Sequence, residues 1–166
     1  MQREAADKFC GARRGYLYAA LLAPWFEASI IHHFQRSDFT PSPRVDVVML
    51  RLNKRGPPLI VSHERQLYRD FVVHAFVTRQ PTLSHTLKAM LSHQQLRQMT
   101  RTLGIDLCVP PSTLTTQQWI QLFHHFSQIG SPQARRLISG SERRLRQQQA
   151  KLHKVHRTRA AQARSG

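Results

Sequence analysis

Apolar residues recur at intervals of three and four through most of the chain, and strict alternation marks one short stretch. Residues 2–36 read as helical, with Leu17, Leu21, Leu22, Trp25, Phe26, Ile30 and Phe34 on the apolar side and Pro24 as a kink. Ser37 to Pro43 carries Ser, Asp, Thr and two prolines and reads as a linker. The alternating stretch is 44–53. Val48, Leu50 and Leu52 fall on one face of a strand there, and Met49, Arg51, Asn53 and Arg55 fall on the other, before Gly56-Pro57-Pro58 ends the run. Ser62 can cap a helix to Arg79 built on Leu67, Phe71, Val72, Ala75 and Phe76, and Gln80-Pro81 interrupts it.

A further helix is predicted from Thr82 or Ser84 to Leu91, and Ser92 caps another that carries Leu96, Met99 and Leu103 and stops at Gly104. After the Pro110-Pro111 loop, Thr115 or Thr116 caps an amphipathic helix bearing Trp119, Ile120, Leu122, Phe123 and Phe126. Gly130-Ser131-Pro132 stops it and opens the next, with Pro at the first helical position.

Charge changes this picture. The chain has 25 Lys and Arg against 9 Asp and Glu, a formal net charge of +16. Such a surplus opposes compaction unless a polyanion compensates it, and nucleic acid is the commonest such partner. An anionic membrane surface and an acidic protein are the alternatives. The surplus is uneven: residues 132–166 hold Arg135, Arg136, Arg143, Arg144, Arg146, Lys151, Lys154, Arg157, Arg159 and Arg164 against the single acid Glu142. This run suits phosphate contact; a solvated tail that keeps the chain soluble is the plainer reading.

Other chemistry is sparse. Cys10 and Cys108 match no metal or redox spacing. The ten histidines include His32-His33 and His124-His125 but no zinc-binding pattern, and no metal or cofactor is expected. There is no phosphate-binding glycine loop and few candidate carboxylate pairs, so the expectation is a protein that is not an enzyme. The apolar run Tyr16 to Ile31 is short for a membrane span and contains Pro24 and Glu27, so no membrane is expected.

The segment Met49-Leu50-Arg51-Leu52-Asn53-Lys54-Arg55-Gly56-Pro57, followed by helices over 62–79 and 82–91, resembles the ribbon-helix-helix family of DNA-binding regulators. The resemblance implies a mainly α fold in which one short strand per chain pairs with that of a second subunit. It implies a homodimer on double-stranded DNA, regulating transcription, including on plasmids and other mobile elements, in the cytoplasm at the nucleoid. Met49, Arg51, Asn53 and Arg55 would read base edges. Thr82 and Ser84 would grip a phosphate at a helix N-terminus, with Lys54, Arg135, Arg136, Arg143, Arg144, Arg146, Lys151 and Lys154 as further phosphate contacts. The division implied is an N-terminal helical extension over 1–36, a DNA-binding core over 44–104, a packing helix over 115–130 and a basic segment over 132–166. An ordinary edge strand is the bland alternative for the strand itself. A helix-turn-helix reader using Gln94, Gln95, Arg97, Gln98 and Arg101, an RNA-binding or ribonucleoprotein subunit, and an adaptor docking a protein through residues 1–36 are the other readings.

Overall fold

The computed structural model describes residues 1–11, 16–78 and 80–162, with side chains described as far as Lys151. Helices α1 (Arg3–Cys10) and α2 (Leu17–Leu22) lead into strand β1 (Phe26–His33), and β2 (Val48–Lys54) follows a long connection. The remainder is helical: α3 (Arg65–Val77), α4 (Leu83–Leu87), α5 (His93–Leu103), α6 (Thr116–Ile129), α7 (Pro132–Ile138) and α8 (Ser141–Gln162).

The helix expected through 2–36 does not form. Pro24 lies in the turn after α2, and beyond it the chain is extended. Phe26, Ala28 and Ile30 alternate there with Glu27 and Ser29, a period of two that suits a half-covered strand better than a helix. β1 pairs antiparallel with β2, from Phe26 opposite Lys54 to Ile30 opposite Leu50. A bulge at Ile31 then resets the register to His32 opposite Met49 and His33 opposite Val48. This overturns the intermolecular ribbon. The two-stranded ribbon expected between subunits forms within one chain, with β1 as the partner of β2.

The helix starts at Thr82, Ser92, Thr115 and Ser131 are as the sequence spacing suggests, for a local reason, whereas the cap expected from Ser62 is not made and α3 begins at Arg65 after a short 3-10 turn over Ser62–Glu64. Ser92 Oγ accepts from Gln95 N at 3.3 Å while Gln95 Oε1 accepts from Ser92 N at 2.9 Å. Thr115 and Gln118 repeat this reciprocal cap at 3.2 and 2.9 Å, and Ser131 Oγ accepts from Ala134 N at 3.1 Å ahead of Pro132. Gly104 ends α5 at φ 63°, a left-handed conformation that favours glycine. The helix predicted from Thr82 stops at Leu87 rather than Leu91. Met90 and Leu91 stay buried on a turn that hydrogen-bonds back to the Leu87 carbonyl.

The core forms around α3, whose Tyr68, Phe71, Val72, Val73 and Ala75 are buried. Phe71 stacks on Phe126 at 4.7 Å between ring centroids and Tyr68 meets Phe123 edge-on at 5.1 Å. Buried Tyr68 donates its hydroxyl to the Ala20 carbonyl at 2.7 Å, which ties α2 to the bundle. Burial pushes its phenol well above the usual tyrosine range, so it stays a neutral donor.

Two adjacent polar residues of α3 set the position of α8. Asp70, 4 % exposed, accepts from Gly140 N at 3.0 Å and Glu142 N at 2.9 Å. It thereby satisfies backbone donors left open at the start of α8 and places a negative charge at the positive end of that helix. Arg69 forks onto Glu142, Nε to Oε2 at 2.9 Å and Nη2 to Oε1 at 2.7 Å. Replacing Asp70 with alanine leaves the buried Glu142 N–H and the half-buried Gly140 N–H unpaired. Asp70→Ala is expected to cost about 2 kcal/mol and lower Tm by roughly 4–8 °C in thermal unfolding, whereas an unchanged Tm would show that Asp70 does not hold α8.

Candidate nucleic-acid interface

The side chains singled out from the sequence fall into two groups: those committed to the protein itself, and those open to solvent. Arg55 belongs to the first group. Its Nη1 meets Glu27 Oε1 at 2.6 Å and its Nε donates to the Ala23 carbonyl at 2.8 Å, closing the base of the hairpin. Met49, Arg51 and Asn53 are exposed on β2, opposite His32, Ser29 and Glu27, and Lys54 at the strand end is exposed as well. At α4 no anion seat forms. Thr82 Oγ1 caps His85 N at 3.4 Å, while Leu83 N and Ser84 N donate to the Val109 and Leu107 carbonyls at 2.9 and 2.7 Å. The donors expected to meet a phosphate at Thr82 and Ser84 are therefore occupied.

The basic C-terminal run divides in the same way. Arg135 turns back onto the end of α6, donating to the Gly130 carbonyl at 3.3 Å and the Ser127 carbonyl at 2.5 Å. A cation there complements the negative end of the helix. Arg144 bonds Ser139 O at 2.9 Å and Ser141 Oγ at 2.8 Å, and Arg146 joins Glu142 at 2.5 Å. Arg136, Arg143 and Lys151 are exposed and make no hydrogen bond or ion pair among the described residues. Lys154 lies outside the residues whose side chains are described.

Two basic ridges result. On α8, Arg143, Gln147 and Lys151 follow one another at intervals of four, so they share one exposed face. On α5, Gln94, Arg97, Gln98 and Arg101 are all exposed on one stripe, while Leu96 and Met99 are buried on the other side. Gln95 is not part of that stripe, because it caps the helix and donates to the Ile129 carbonyl at 3.3 Å. Each ridge pairs fixed cations with amide side chains that can donate and accept, which suits phosphate and sugar edges. His74 adds no charge near α8 at neutral pH. Burial, and then repulsion from Arg144, hold its imidazole below the ordinary histidine range.

Among the described residues no three His, Cys, Asp or Glu side chains converge on a point that could hold a metal ion, and no helix is long and apolar enough to cross a membrane.

A basic helical bundle carrying an antiparallel hairpin is thus the class of protein at hand. The family model described as ribosomal RNA adenine dimethylase matches residues 1–128, and the chain belongs to that family. The rRNA adenine N-6-methyltransferase of Bacillus licheniformis is 26% identical over 130 residues, which are 77% of this chain and 45% of that protein. The ribosomal RNA small subunit methyltransferase A of Natranaerobius thermophilus is 27% identical over 128 residues, 74% of this chain and 42% of that one. Among solved structures, the 23S rRNA methyltransferase ErmE superposes with a TM-score of 0.68 at 23% identity, covering 76% of this chain and 52% of that chain. The chain therefore spans about half the length of the relatives it matches.

Family membership overturns the sequence-based expectation of a non-enzymatic, DNA-binding transcription regulator. The relatives are named as rRNA methyltransferases, and neither ribbon-helix-helix kinship nor double-stranded DNA as the partner stands. The methyl donor of such enzymes is S-adenosylmethionine, and the described residues do not fit it. Nucleotide cofactors of open α/β folds sit at the carboxyl ends of parallel strands, above a glycine-rich strand-to-helix turn. The sheet described here has two antiparallel strands. Gly56, the glycine that follows a strand, has open space where a Cβ would stand, so it cradles nothing.

Sequence reasoning passed over Arg69, Asp70 and Glu142. A signal was present: acids are scarce in this chain, and Asp70 sits between apolar helix positions that all point inward. An acid kept at such a place has a specific partner. The hydrogen bonds from Arg69 hold the Glu142 carboxyl below the ordinary glutamate value of 4.5, against the opposing effect of burial, with Gln66 and Arg146 adding to the lowering. A depressed carboxylate stabilises the fold fully above its unfolded-state pKa and loses that contribution as pH falls through the folded-state value. The Tm gap between the native chain and Glu142→Gln is therefore expected to be full at pH 7 and to shrink below about pH 4. A gap independent of pH would contradict the ion pair.

Proposed function

We propose that this chain serves N6-methylation of adenine in ribosomal RNA, and that it contributes the part that holds the RNA. The family match over residues 1–128 carries this reading. The large excess of cations left exposed after the internal ion pairs are made supports it. The ridges on α5 and α8 offer Arg97, Arg101, Arg143 and Lys151 to phosphates. Gln94, Gln98 and Gln147 stand beside them as hydrogen-bonding partners for 2′-hydroxyls, the groups that distinguish RNA from DNA. Structured RNA is recognised largely through backbone shape, which such ridges can follow without reading sequence. The site of action proposed is the cytoplasm.

None of these side chains is assigned to methyl transfer. A base must leave its stack to be modified, and the role proposed for the ridges is to fix the RNA while that happens. The test is fluorescence anisotropy with a labelled ribosomal RNA fragment and a duplex DNA of equal length across a salt series. The doubles Arg97→Ala/Arg101→Ala and Arg143→Ala/Lys151→Ala are each expected to weaken RNA binding and to reduce the logarithmic salt slope by roughly 1.4–1.8, the share of two phosphate contacts. Equal affinity for RNA and duplex DNA, or doubles that bind like the native chain, would contradict the proposal.

A further inference from the structure

The far end of α3 and the side of α8 enclose a depression of about 280 Å³. This is just under the roughly 300 Å³ at which pockets for drug-sized molecules begin, so a single ring system is the class of guest that fits. Val77 and Leu145 supply apolar wall, and His74, Thr78, Arg144 and Gln148 bring polar groups to the same space. The depression adjoins the α8 ridge, because Arg144 and Gln148 directly follow Arg143 and Gln147 and lie one stripe over on the helix surface.

The polar groups have bonding capacity left over. The Thr78 hydroxyl donates to the His74 carbonyl at 2.9 Å, and its oxygen can still accept. The His74 ring makes no hydrogen bond among the described residues. Burial and the Arg144 charge favour its neutral form, which has one donor and one acceptor. Arg144 is fixed by Ser139 O at 2.9 Å and Ser141 Oγ at 2.8 Å, yet it stays exposed and keeps further N–H groups and the face of its guanidinium plane.

Beside the depression, two like charges are held together. A Cβ at Gly140, whose φ is 75°, would stand 3.4 Å from Arg144 Nη1 and 3.5 Å from Arg143 Nη2, so both guanidiniums reach over this one glycine. Neither makes an ion pair among the described residues. Such a pair suits an anion, and phosphate is the anion that an RNA backbone supplies.

We infer that this depression receives one unstacked base of the bound RNA, with the phosphate of that nucleotide on Arg143 and Arg144. The base would lie against Val77, Leu145 and the Arg144 plane, with His74, Thr78 and Gln148 along its polar edge. Unstacked bases of this kind are presented by loops and bulges, so the partner singled out is an RNA helix interrupted by one. The site holds a base and is assigned no part in methyl transfer. The inference rests on the reading of the α8 ridge as an RNA contact.

The test is NMR of the 166-residue chain titrated with adenosine 5′-monophosphate and, separately, with ribose 5-phosphate. The mononucleotide is expected to shift the His74 ring, the Thr78 methyl and the Gln148 side-chain amide. Ribose 5-phosphate is expected to shift the Arg143 and Arg144 side chains alone. Val77→Trp, at an exposed position, fills the depression and should abolish the first set of shifts while leaving the second. In anisotropy with a bulged ribosomal RNA fragment, the same variant should weaken binding about fivefold or more, the least that a stacked base contributes. The salt slope should stay unchanged, because no phosphate contact is lost. Gln148→Ala removes only an exposed amide and should weaken mononucleotide binding about two- to tenfold. Identical shifts from both probes, or a Val77→Trp chain that binds the bulged RNA like the native one, overturns the inference. If the Arg143→Ala/Lys151→Ala double loses RNA affinity while the mononucleotide leaves His74 and Thr78 unmoved, the base site falls and the RNA reading stands. Mononucleotide shifts there in a chain that binds no ribosomal RNA support the base site and overturn the RNA reading.

Discussion

Arg69 and Asp70, neighbours on α3, decide where the basic end of this molecule lies. Asp70 occupies the open backbone donors at the start of α8, and Arg69 grips the side chain of Glu142, one of the same residues. Both carboxylates are nearly buried, with the Glu142 side chain 8 % exposed, so neither can be left without its partner at small cost. α8 carries one acid among many cations, and that acid faces inward. The lock therefore does two things together. It neutralises the negative charge nearest the ridge, and it fixes the direction in which Arg143 and Lys151 project.

The same sorting of charge runs through the rest of the molecule. Arg55 closes the hairpin on Glu27, Arg135 caps the end of α6, and Arg65 lies over the Trp25 ring at 5.1 Å. These cations hold elements in place and are poor candidates for a ligand. Among the exposed cations, Arg97 and Arg101 on α5 and Arg143 and Lys151 on α8 stand beside glutamines, and a polyanion of regular shape is what such ridges suit.

Much of the helical half was legible from local chemistry. Ser92, Thr115, Ser131 and Gly104 act within a few residues of themselves, so their caps could be read from spacing alone. A strand was also legible from alternation, expected over 44–53 and formed over Val48–Lys54. Its partner was not, because β1 lies in an apolar run where Phe26, Ile30 and Phe34 also fit a helical period, and pairing with β2 decides the outcome. That one missed strand turned an intramolecular hairpin into an expected dimer ribbon, and the DNA reading followed from it. The positive charge suits a polyanion but carries no information on RNA against DNA. Arg69, Asp70 and Glu142 could not be joined by sequence, since more than seventy positions separate them.

The most direct test of the central claim is ultraviolet crosslinking of the 166-residue chain to ribosomal RNA, with the crosslinked peptides mapped by mass spectrometry. The account predicts crosslinks concentrated on α5 around Arg97 and Arg101 and on α8 around Arg143 and Lys151, with the apolar face of β2 free of them. Crosslinks centred on Met49, Arg51 and Asn53 with the two helices unmarked, or none to RNA at all, would contradict it.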